Sequence, residues 1–124
     1  METALYVAAF LLVFVGFAHS YLGERYILIR LFRRDNLPKL RGGTEFTTRT
    51  LRFAWHITSV AWWGFAAILV LLARGSATRS AIGMVIAVTF LIHFAMVIVG
   101  SRGRHLAWLL FFVVGALVIY ATRW

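Results

Sequence analysis

The chain has 124 residues, 62% of them hydrophobic, and a mean hydropathy of +0.86, against about 45–50% apolar residues in soluble domains. That composition excludes an ordinary soluble domain, and the absence of cysteine excludes disulfides, thiolate metal sites and iron–sulfur clusters. The net charge of +9 comes from 13 basic residues against Glu2, Glu24, Asp35 and Glu45; because the basic residues sit at the ends of apolar runs, they point to membrane topology and anionic headgroups, and no nucleic-acid partner is expected.

Residues 1–4, Met1 to Ala4, lack the basic start of a cleavable signal peptide, so the first apolar run is expected to stay as a span over about 5–23. The helix is expected to continue one or two turns through the interface, where Tyr26 to Phe32 mixes apolar residues with Arg30. The only proline, Pro38, and the pair Gly42 and Gly43 mark the one substantial loop, basic and covering 33–48. Thr44, Thr47 and Thr48 are candidate N-caps for the next helix, whose apolar part runs over 53–73. A polar turn at 74–80 leads to a third span over 81–100, and the tight turn at 101–104 leads to a fourth over 105–122, closed by Arg123 and Trp124 as an interfacial anchor.

The expected fold is therefore all-α: one integral membrane domain over 1–124, built as a four-transmembrane-helix up-down bundle. Lys and Arg number ten in the 24–52 region and the 101–104 turn, against three on the other side. This places the long loop in the cytoplasm and both termini outside, in a membrane of bacterial inner-membrane type.

Each span carries one histidine: His19, His56, His93 and His105. At about 1.5 Å per residue, the first three lie roughly 7, 6 and 10 Å inside the boundary that His105 marks, so all four fall in the basic half. Ionisable side chains in lipid face the bundle interior and find partners. Four imidazoles at one depth suggest metal ligation by His19, His56, His93 and His105, with haem b or a Cu, Zn or Fe ion as the cofactor and electron transfer as the use. Gly16 and Gly23 flank His19 on its own face, leaving room for a flat macrocycle or for another backbone. Arg25, Arg49 and Arg52 are the candidate propionate partners, and serve equally as lipid anchors.

Each residue also has a plainer role. A single intramembrane histidine commonly makes a hydrogen bond between helices, with Ser59 beside His56 and Thr89 beside His93 as available hydroxyls. Glu24 is either an interfacial acid neutralised by arginines or the end of a proton relay; five residues from His19, it stands about 140° away around the helix, so the two would not share a metal ion. Glu45 is expected to stabilise a helix N-terminus, and Asp35 is a loop residue. Trp55, Tyr26, Tyr120 and Trp124 read as interfacial belt residues, and Trp62, Trp63 and Trp108 as packing within the membrane. The alternatives to a cofactor protein are a transport-related or accessory four-helix protein with structural histidines, and a lipid-acting membrane enzyme. No nucleophile motif marks a catalytic residue, and no acid lies deeper than Glu24 to couple a transported solute. Partners are anionic membrane lipid and a second copy or another membrane protein.

Overall fold

The computed structural model describes residues 1–123; the anchor proposed for Trp124 lies outside the described residues. Four helices follow one another: α1 (Glu2–Leu31), α2 (Glu45–Ala73), α3 (Arg79–Gly100) and α4 (Ala107–Thr122). The first three are long and apolar enough to cross a membrane. At 16 residues, α4 spans only about 24 Å, short of a hydrocarbon core of roughly 30 Å.

The helix boundaries follow local chemistry. α1 continues past its apolar part, as Tyr26 to Phe32 suggests, but through a widened π-helical turn at Gly23–Leu28. α2 starts eight residues before Phe53 because Glu45 and Arg49 pair across one turn. Thr44 occupies its N-cap position without a side-chain capping bond; Thr47 Oγ1 instead donates to the Pro38 carbonyl and ties the loop to the helix. Thr78 caps α3 by accepting from the Ala81 N–H. In the loop, Leu40 and Gly43 bridge around Arg41 and Gly42, whose φ values of 55° and 91° describe a type I′ turn.

Neighbouring helices are antiparallel. Along α1 and α2 the contacts run from Gly16 and Trp63, through Ser20 and Ser59, to Gly23 and Trp55. Between α2 and α3 they run from Gly64 and Thr89 to Phe53 and Gly100, and between α3 and α4 from Gly83 and Thr122 to Gly115 and Leu91. Among the described residues α1 approaches only α2, and α4 packs only on α3. The helices form an open row in chain order, each packed against the next. Small residues make each approach close, as in lipid, where water drives no association and packing carries it. The outer faces of α1 and α4 leave Phe10, Phe14, Leu110 and Leu117 exposed, which suits contact with acyl chains.

Candidate functional site

The basic end of the row holds a hydrogen-bonded chain crossing from α1 to α2. Ser20 and Glu24 stand one turn apart on α1, and Arg52, His56 and Ser59 fall at three- and four-residue intervals on α2, so each set shares a face. Ser59 Oγ lies 2.8 Å from Ser20 Oγ, and Ser20 Oγ lies 3.0 Å from His56 Nδ1. His56 Nε2 is 3.2 Å from Glu24 Oε2. Glu24 is also gripped by Arg52, which donates from Nε to Oε2 at 3.2 Å and from Nη2 to Oε1 at 3.0 Å. Ser59 is fully buried, while the side chains of His56 and Glu24 are only 25% and 31% exposed.

The hydrogens can be placed by what each group is able to do. A carboxylate held by a guanidinium only accepts, so His56 Nε2 carries a hydrogen toward Glu24. In the neutral ring Nδ1 accepts from the Ser20 hydroxyl; in the imidazolium Nδ1 donates to it, and Ser20 turns its hydrogen toward Ser59. The two hydroxyl rotors therefore supply a partner for His56 Nδ1 in either charge state. The order Ser20, His56, Glu24 also matches a nucleophile, base and orienting acid. Acyl transfer further needs backbone donors for an oxyanion, and the helix around Ser20 spends its amides on its own carbonyls, as Gly23 N–H does on those of His19 and Ser20.

The other histidines stand apart. The His19 ring stacks on Trp55 at 4.5 Å with 1° between planes and meets the edge of Trp62 at 4.9 Å. Its Nε2 is buried without a hydrogen-bond partner. His93, buried on α3, donates from Nε2 to the Ile57 carbonyl at 3.1 Å, because a carbonyl can only accept. Thr89 bonds back to Val85 rather than to His93. His105 lies between Phe46 and Phe53, and its Nδ1 accepts from the Ala107 N–H at the start of α4. Among the described residues no three His, Asp or Glu side chains stand together in a way that could hold a metal ion.

The glycines flanking His19 do admit flat groups, and those groups are the chain's own indoles. A Cβ at Gly16 would fall inside Trp63, and one at Gly23 inside Trp55. Each indole N–H donates to an α1 carbonyl, Trp55 to His19 and Trp63 to Val13. Trp55, expected in the interfacial belt, thus works as a clamp between helices, seated where the π turn begins. Such widened turns are frequent at functional sites.

The three arginines are placed differently. Arg25 is exposed on α1. Arg49 pairs with Glu45 at 2.9 Å and donates to the Gly100 carbonyl at 3.1 Å, while Arg52 also lies 4.9 Å over the Phe32 ring. Glu45 further pairs with Arg102 at 3.3 Å and Arg104 at 3.7 Å. Arg41 bonds the Arg104 carbonyl and covers Phe46, which closes the loop over this end. An open cavity of about 490 Å³ lies between α2 and α3, lined by Arg49, Arg52, Phe53, His56, Met96 and Val99 among others.

Ser20 is the site residue that the histidine pattern leaves out. Its four-residue spacing to Glu24 was the signal available in the sequence. Comparison with protein-family models, curated proteins and solved structures finds no match to this chain.

Proposed function

We propose that the chain is a small integral membrane protein of four spans, with its basic end in the cytoplasm, in which His56 exchanges a proton beside a cavity that binds an anion. The bridging of His56 between Ser20 and Glu24 carries this reading. It supplies partners for both charge states of an imidazole, the side chain suited to proton exchange near neutral pH. The activity that fits is proton-linked handling of an anionic solute, as in a carrier or a carrier's accessory subunit, with Arg49 and Arg52 holding the anion. The ten basic residues at this end support the cytoplasmic placement, since they would otherwise have to cross the membrane. In this reading the short α4 is accommodated by local thinning of the bilayer.

Infrared difference spectra between high and low pH, taken on the full chain in lipid nanodiscs, test the proposal. An imidazole band that is present in the wild type and lost in His56→Asn is expected. A band that survives His56→Asn, or is missing from the wild type, rejects it.

A cofactor reading rests on a separate observation, the buried and unpartnered Nε2 of His19. A buried ring nitrogen without a partner costs about 1–3 kcal/mol, and a bound transition-metal ion would relieve that. Elemental analysis that finds stoichiometric Cu, Zn or Fe, lost in His19→Ala, supports this reading; a metal-free protein rejects it.

A further inference from the structure

From the cavity beside His56 and the cleft that continues it, we infer that the anion is a lipid phosphate, its head between Arg49 and Arg52 and its tail in the groove between α2 and α3. This deepens the proton-linked reading of His56 and rests on it for the role of the head, while the groove is a separate observation. On α2, Arg49, Arg52, His56, Val60, Trp63 and Ala67 recur at three- and four-residue steps, which makes one stripe down the helix. On α3, Val99, Met96, Ile92, Val88 and Met84 form the answering stripe. The polar cavity occupies the upper part of this groove. One turn further along, an apolar cleft of about 300 Å³ is lined by Val60, Trp63, Ala67, Met84, Val88 and Ile92 among others. From Arg52 to Ala67 the two cavities, one above the other, cover about 22 Å along the helix axis, most of the depth of a hydrocarbon core of roughly 30 Å.

The head chemistry follows from charge. Glu45 and Glu24 each orient an arginine from one side, and a guanidinium with five donors retains others for a ligand. Arg49 and Arg52 line the cavity together with Glu45, and Arg102 and Arg104 reach Glu45 from outside it. Four arginines against Glu24 and Glu45 leave a surplus of two positive charges at this end, which suits a phosphate monoester dianion. A zwitterionic head brings a quaternary ammonium that these arginines repel. An apolar trough in line with the head site gives no advantage to free phosphate.

The test is native mass spectrometry of the full chain with equimolar phosphatidic acid and phosphatidylcholine of the same acyl chains, repeated with excess inorganic phosphate. Preferential retention of phosphatidic acid is expected, falling about tenfold in Arg49→Gln, as the loss of one charged hydrogen bond implies. A comparable fall is expected in Val88→Trp, which fills the exposed trough without touching the network between α1 and α2. Equal retention of both lipids overturns the inference. Displacement by inorganic phosphate together with an unaffected Val88→Trp also overturns it and assigns the site to free phosphate. The infrared imidazole band separates the two readings. Lipid preference lost with the band intact defeats the lipid identity alone; a missing band with the preference intact defeats the proton role and leaves the lipid site standing.

Discussion

Replacing Glu24 by Leu removes the acceptor shared by Arg52 and His56, at contacts of 3.0 to 3.2 Å. With Arg52 48% exposed, water takes over most of what its pair loses, so that part is worth about 1 kcal/mol or less. His56 is the more buried partner, and a ring N–H left without an acceptor costs about 1–2 kcal/mol. The expected loss is therefore about 1–3 kcal/mol for Glu24→Leu and about 1 kcal/mol or less for Glu24→Gln, which retains one acceptor oxygen. The assay is reversible unfolding of the purified chain in mixed micelles by increasing denaturing detergent, on Glu24→Leu, His56→Phe and the double variant. Because both single changes break the same bond, the double variant should lose less than their sum, by about 1 kcal/mol. Additive losses, or a Glu24→Leu effect below about 0.5 kcal/mol, refute the claim that the two side chains act as a pair.

Trp55→Phe keeps the ring against His19 but deletes the indole donor to its carbonyl, so a loss of about 1 kcal/mol in the same assay is expected. Gly23→Val drives two methyls into Trp55, and should cost at least about 1–3 kcal/mol and expose Trp55 to a quencher dissolved in the lipid. Gly42→Ala meets open space but a φ of 91°; a loss of about 1 kcal/mol, seen as faster amide exchange confined to 38–47, is expected. Ser59→Ala deletes only the far hydroxyl rotor, so it should leave the protein folded while weakening the infrared imidazole signal.

The helices were legible because apolar run length and basic flanks are local properties, and the extension of α1 past Glu24 was visible in the mixture around Arg30. The open row was not legible, because short turns specify which helices are neighbours and leave open whether α4 returns to α1. The histidine layer illustrates the same limit. Depth along the helix follows from counting residues, but rotation about the axis shifts at the π turn, and rotation decides which side chains meet. Counting along α1 did not bring Glu24 to His56, which lies across a helix interface. Gly16 and Gly23 announced close approach, with the tryptophans rather than a macrocycle filling the space. Ser59 was anticipated as the neighbour of His56, yet it bonds Ser20, which stands between them.

The most direct test of the proton-exchange account is nitrogen-15 NMR of ring-labelled histidine in the full chain in lipid, comparing wild type with His56→Asn at high and low pH. The account predicts one resonance pair, absent in His56→Asn, whose Nε2 carries a hydrogen throughout and whose Nδ1 changes from acceptor to donor as the pH falls. A His56 ring that keeps a single protonation state from alkaline to acidic pH in the folded protein contradicts it.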